Sequence, residues 1–76
     1  MKEKLKDFLQ SCIKNTMLFS INRVQHNLEI GFMRAMKLKE ILIDCEIINS
    51  KGELIVSNDK LDKINFDEIY KKLYVL

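Results

Sequence analysis

A chain of 76 residues is long enough for one small domain with a modest core. Apolar residues make up 47% of the chain and charged residues 32%, which is a globular and not a disordered composition. The apolar runs, such as residues 17–19 and 41–43, are too short to cross a membrane. The two cysteines are far apart and have no CxxC neighbour, so reduced thiols in a cytoplasmic protein are expected.

The first third of the chain predicts two helices. An apolar stripe at helical spacing predicts the first of them over residues 3–14, with Leu5, Phe8, Leu9, Cys12 and Ile13 on one face. The β-favouring run Thr16–Phe19 predicts one brief strand. The hydroxyl of Ser20 can cap a second helix that runs from Ile21 to about Leu28.

A third helix is predicted from Phe32 to about Cys45, after a tight turn for which Gly31 supplies the backbone freedom. Residues 20–45 therefore read as a helix-turn-helix unit, and an ordinary pair of antiparallel helices has the same spacing. Helical periodicity divides the third helix into two faces. The predicted core face holds Ala35, Leu38, Leu42 and Cys45, and the opposite face holds Met33, Lys37, Glu40 and Asp44.

The last third predicts a wing and one more helix. Two β-branched runs flank a turn with glycine over residues 47–56, which predicts a β-hairpin. Residues 57–63 read as a polar connection. Asn65 can cap a C-terminal helix over residues 65–75. The predicted fold is mainly α with a small β-hairpin: a single winged helix-turn-helix domain over residues 1–76 with an additional C-terminal helix.

The basic residues are concentrated in the middle of the chain, a distribution that a polyanion-binding surface would produce. Residues 20–39 hold Arg23, Arg34, Lys37 and Lys39 against Glu29, a net charge of +3. A solvated helical surface would give the same pattern. The chain has one histidine, no spacing typical of zinc ligands and no nucleophile with an activating partner nearby in sequence. We therefore expect no catalytic residue, no metal site and no cofactor.

Part of the chain also resembles a known family. Seven residues match the family pattern in register: Ser20, Gln25, Ile30, Gly31, Arg34, Ala35 and Leu38. Over residues 20–56 the chain resembles the gamma domain of FtsK-type DNA translocases, a winged helix that recognises short DNA sequences. The resemblance implies sequence-specific binding of double-stranded DNA. It places the base-reading positions at Met33, Lys37 and Glu40, where Met33 replaces an asparagine and Lys37 an arginine of the family.

The candidate DNA contacts lie on the second helix, the third helix and the wing. Arg34 is expected to contact the DNA backbone, and Lys51, at the tip of the predicted hairpin, is expected to contact a phosphate. Arg23 is a further backbone candidate. The full set is Ser20, Arg23, Gln25, Met33, Arg34, Lys37, Glu40 and Lys51.

Two functions and one assembly follow as hypotheses. The first function is DNA binding, either as a transcriptional regulator or as a DNA-marking accessory factor whose partner is a DNA translocase or relaxase complex. The alternative is a winged-helix module that binds another protein through Phe32, Met33, Met36 and Ile43. An excess of apolar residues in the last helix predicts a homodimer, with Tyr70, Tyr74 and Val75 at its interface.

Overall fold

A computed structural model describes the backbone of residues 2–74 and the side chains of residues 4–74. The helices of this part of the chain are α1 (Lys2–Lys14), α2 (Ile21–Leu28), α3 (Phe32–Asp44), α4 (Asn58–Lys63) and α5 (Phe66–Tyr74). The helices predicted over residues 3–14, 21–28 and 32–45 are confirmed. The predicted C-terminal helix is confirmed as α5, and Val75, its last predicted residue, lies outside the described residues.

Helix α1 lies at the centre of the packing. It contacts α2, α4 and α5, and α3 packs against α2 and α5. Leu5 and Leu9 on its apolar stripe are fully buried, because each is surrounded by neighbouring helices. Phe8 meets Phe19 edge to face, with the ring centroids 5.9 Å apart and an angle of 79° between the ring planes. The core therefore joins α1 to the chain segment that leads into α2.

Each of the first three helices is followed, within two residues of its end, by a residue with positive φ that is not glycine. These residues are Thr16 (φ 52°), Glu29 (φ 54°) and Glu46 (φ 60°). After α1, the N–H of Met17 donates to the carbonyl of Cys12 at 2.8 Å. This bond and a positive φ at the residue before it are typical of a Schellman cap. The same backbone wraps around the end of α1, so the strand predicted over Thr16–Phe19 is wrong.

The turn between α2 and α3 does not use its glycine as predicted. Gly31 has φ −73°, and the left-handed conformation falls on Glu29 instead. Ser20 does stand at the N-cap position of α2, but its side chain makes no capping hydrogen bond. The bounds of α2 were therefore predicted correctly. The capping bond predicted for Ser20 and the turn conformation predicted for Gly31 are wrong.

The predicted β-hairpin wing over residues 47–56 is wrong. Residues 2–74 contain no strand or sheet, and one isolated antiparallel bridge pairs Ile48 with Leu54. The reason is that the N–H groups of Ile47 and Ile48 both donate to the carbonyl of Leu42, at 2.9 and 3.4 Å, and so cap α3. Both isoleucines are also buried, whereas successive residues of a strand point to opposite faces.

Helix α4 occupies the segment that was predicted as a polar connection. The Ser57 side chain accepts a hydrogen bond from the N–H of Lys60 at 3.4 Å, which caps the helix. Leu61 is fully buried and anchors the helix to the core. An exposed ion pair, 2.8 Å between Lys6 Nζ and Asp62 Oδ1, adds a weak link to α1. One buried residue in six leaves no periodicity, so the sequence pattern could not reveal this helix.

Candidate nucleic-acid interface

Helix α3 is buried on one side and uncovered on the other. Ala35, Leu38 and Leu42 are fully buried, as predicted. Cys45 was predicted to complete this face and is exposed, because α3 ends at Asp44 and the chain turns away; Ile41, 8% exposed, is buried instead. Because this face of α3 is buried, the opposite face is the one that a ligand can reach.

The uncovered face of α3 is mostly the predicted one. Met33 is 77% exposed, Glu40 and Asp44 are exposed, and Lys37 is half-buried. Two further apolar side chains, Phe32 at 54% and Met36 at 43%, are also exposed near its N-terminal end. This face therefore combines charged groups with large apolar groups, and the balance between them decides which partner it fits.

A groove of about 430 Å³ runs between this face and α5. Its walls are Met33, Arg34, Met36, Lys37 and Glu40 on α3, and Leu73 and Tyr74 on α5. The structure thus brings four of the eight candidate DNA-contact residues together in one place. It also adds Leu73 and Tyr74, which the sequence did not connect with this site.

An arginine and two tyrosines form a stack at the edge of the groove. The Cζ atom of Arg34 lies 4.6 Å from the centroid of the Tyr74 ring, within the range of a cation–π contact. The Tyr74 ring is nearly parallel to that of Tyr70, with 11° between the planes and 6.2 Å between the centroids. Spacing of four residues places both tyrosines on one flank of α5. The position of Arg34 is therefore coupled to the C-terminal helix.

Tyr70 is the inner member of this stack. It is half-buried and packs against the hydrophobic core. Burial, with a smaller contribution from the neighbouring Tyr74, raises the pKa of Tyr70 to about 12. Tyr70 therefore supports the Tyr74 ring from the side of the core.

The candidates on α2 lie in two different surroundings. Arg23 is exposed and borders a surface depression shared with α1 residues such as Lys4 and Asp7, away from the α3 groove. Its charge partly offsets the rise that burial causes in the pKa of the Cys12 thiol. Gln25 is half-buried, and its carbonyl accepts hydrogen bonds from the end of α2. The structure does not bring Arg23 together with Arg34.

Lys51 lies exposed on a tight turn that is held close to the start of α2. The Asn49 side-chain oxygen accepts hydrogen bonds from the N–H groups of Lys51 at 3.0 Å and Glu53 at 2.9 Å. The carbonyl of Gly52 accepts a 2.7 Å bond from the N–H of Phe19, the residue before Ser20. The turn is therefore well ordered without strands and places Lys51 near the N-terminal end of α2.

Two of the three predicted dimer residues have partners within the chain. Tyr70 packs against its own core and Tyr74 contacts Arg34, while Val75 lies outside the described residues. The predicted dimer interface requires both tyrosines to point away from the core, and Tyr70 packs against the core instead. The homodimer itself stays a prediction.

The alternative docking patch also changes in composition. Ile43 is half-buried and packs against the core, so it does not belong with Phe32, Met33 and Met36. Tyr74, 37% exposed, takes its place at the groove. The exposed apolar side chains of this surface therefore lie on the first two turns of α3 and at the end of α5.

Two further features are absent from residues 2–74. No group of three or more histidine, cysteine or carboxylate side chains there could hold a metal ion. No helix in the same range has the length and apolar character needed to cross a membrane.

Comparison with models of known protein families, with curated proteins and with solved structures gave no match for this chain.

Proposed function

We propose that this protein binds double-stranded DNA, with the uncovered face of α3 directed into the major groove. The observation that supports this most is the uncovered face itself. Helix α3 packs against α2 and α5, and its Arg34, Lys37 and Glu40 line the open groove beside α5. The major groove admits one α-helix, and arginine and lysine on such a helix can bond guanine or phosphate.

Lys51 supports the same proposal from a second position. It is exposed near the N-terminal end of α2, on a turn whose backbone is held by the Asn49 side chain. An ammonium group on an ordered turn can contact a phosphate beside the groove that α3 enters. We propose Lys51 as a positioning contact and Lys37 as a reading contact. The same proposal includes the process that this binding would serve. That process is transcription, or DNA marking for a translocase or relaxase complex.

A second candidate function is favoured by the apolar side chains of the groove. Met33, Met36 and Tyr74 surround a concave surface that a hydrophobic partner could fill. A protein-binding module would use this groove and would not require Lys51. The two functions therefore differ in which surface lysines they need.

The test is selection of bound sequences from randomised duplex DNA, followed by measurement of variants on the selected duplex and on random duplex. Lys37→Ala should weaken binding to the selected duplex by about 1–3 kcal/mol more than binding to random duplex, since a reading contact carries base information. Lys51→Ala should weaken binding to both about equally. Thermal unfolding of each variant checks that the loss does not come from unfolding.

Lys63→Ala is the matched control. It removes the same charge from α4, an exposed site on a helix that contacts α1 and not α3. We expect its binding to stay within about twofold of the wild-type protein, because phosphate contacts act at short range in salt. Failure of the wild-type protein to bind any duplex would refute DNA binding and leave the protein-binding module as the candidate.

A further inference from the structure

Three successive contacts link the exposed guanidinium of Arg34 to the hydrophobic core. Tyr70 packs against the core, Tyr74 lies parallel to Tyr70, and the Arg34 guanidinium lies 4.6 Å from the centroid of Tyr74. An exposed arginine on a helix ordinarily samples many rotamers. Here the guanidinium carbon of Arg34 lies over the Tyr74 ring, and that ring is itself supported by Tyr70.

The chemistry of the guanidinium suits this arrangement. Stacking uses the flat face of the group, whereas its N–H donors point outward in its plane. Phosphate oxygens accept hydrogen bonds from those in-plane donors, often two at a time. A side chain that is already held in one orientation loses less freedom on binding, which raises affinity without a new contact.

We propose that Tyr74 is a positioning residue that holds Arg34 in the orientation in which it meets a DNA phosphate. This inference rests on the proposed DNA binding by α3. It makes α5 part of the DNA interface, although Tyr74 acts through Arg34 and not by contact with DNA. It also accounts for the position of Tyr74 at the α3 groove with Tyr70 stacked against it, where the sequence had placed both tyrosines in a dimer interface.

The first test is a pair of substitutions at Tyr74. Tyr74→Leu removes the ring and should weaken binding to the selected and the random duplex alike, by about twofold to fivefold, the size of one exposed cation–π contact. Tyr74→Phe keeps the ring and should bind within about twofold of the wild-type protein. Equal binding by the wild-type protein and Tyr74→Leu would overturn the proposal.

The second test separates positioning from direct contact. In an Arg34→Ala background the ring has no guanidinium to hold, so adding Tyr74→Leu should change binding by less than about twofold. A full additional loss would mean that Tyr74 acts on DNA independently of Arg34, and would overturn the proposal. Circular dichroism and thermal unfolding establish that each variant is folded at the assay temperature.

A variant at the other partner covers the case in which Tyr74→Leu does not fold. Arg34→Lys keeps the charge but replaces the planar group with an ammonium that has no flat face to lay on the ring and cannot bond a phosphate in two places. We expect about a threefold or greater loss on both duplexes. Wild-type affinity for Arg34→Lys would overturn the proposal. Absence of binding by the wild-type protein is a different result, which refutes the proposed function itself.

Discussion

The α2–α3 pair and the segment of residues 45–57 that follows it use their backbone groups in different ways. In the pair, most N–H groups bond within their own helix. In the segment, the N–H groups of Ile47 and Ile48 bond back to the carbonyl of Leu42, and that of Ile55 bonds to the carbonyl of Ile47 at 3.0 Å. The segment is thus both the cap of α3 and part of the core. An irregular stretch can hold a single conformation, as a helix does, when its backbone N–H and C=O groups have hydrogen-bond partners.

The largest expected effect comes from testing whether the segment contributes to the core as a helix does. Ile48 is 1% exposed and Leu38 on α3 is fully buried. Ile48→Ala and Leu38→Ala should each lower the free energy of unfolding by about 2–5 kcal/mol, through lost burial and the cavity left behind. Urea denaturation measures both.

Ile55→Ala is the control for the same segment. Ile55 is 52% exposed, so the substitution should cost less than about 1 kcal/mol. If Ile48→Ala were as mild as Ile55→Ala, the segment would be a surface appendage and the comparison with α3 would fail.

The two glycines provide the next comparison, since one lies in each region. Gly52 has φ +87°, and a Cβ added to it would lie 2.6 Å from the carbonyl oxygen of Phe19, a backbone atom. Gly52→Ala should therefore destabilise the protein by roughly 2–4 kcal/mol, from the left-handed conformation and the clash together. Thermal unfolding is a suitable measurement.

Gly31→Ala is the matched substitution in the helix pair. Nothing lies within 4 Å of a Cβ added at Gly31, and its φ is −73°. We expect a change below about 1 kcal/mol, because alanine is a poorer N-cap than glycine but loses less entropy on folding. A large cost at Gly31 together with a small one at Gly52 would reverse the assignment of the two turns.

The smallest effect is an expected stabilisation at the junction of the two regions. Glu46, two residues after the end of α3, has φ 60°, a conformation that carries a penalty for any residue with a Cβ. Glu46→Gly should raise the free energy of unfolding by about 0.5–1 kcal/mol. Glu40→Gly makes the same chemical change inside α3 and should lower it by about 1 kcal/mol. A loss of stability in both variants would contradict the cap.

The difference between the regions also explains what could be predicted from the sequence. Helices α1, α2, α3 and α5 have apolar residues at helical spacing, which is a local signal. The runs Ile47–Ile48 and Leu54–Val56 have high β propensity, but propensity does not reveal that two of their N–H groups are used to cap α3. Helix α4 is held by Ser57 and by burial of Leu61, and neither feature gives a periodic pattern.

The candidate site was predictable in part for the same reason. Periodicity identified the outward face of α3, including Met33 and Glu40. It could not reveal that α5 packs beside this face, because that contact joins residues far apart in the chain. Tyr74 was consequently predicted at a dimer interface, and its contact with Arg34 was missed. The orientation of Arg23 toward α1 is a tertiary feature of the same kind.

Salt dependence of duplex binding tests the central claim most directly. With Arg23 bordering the α1 side, the cations proposed at the interface are Arg34, Lys37 and Lys51. Of these, Arg34 and Lys51 are the proposed phosphate contacts. Each phosphate neutralised by a protein cation contributes about −0.9 to the slope of log affinity against log salt concentration, so two give about −1.8 per chain. Fluorescence anisotropy of a labelled duplex between about 50 and 200 mM salt measures this slope. We predict a slope near −1.8 that Arg34→Ala makes shallower by about 0.9. Affinity that does not change with salt, or no binding to any duplex, would contradict the proposed DNA binding.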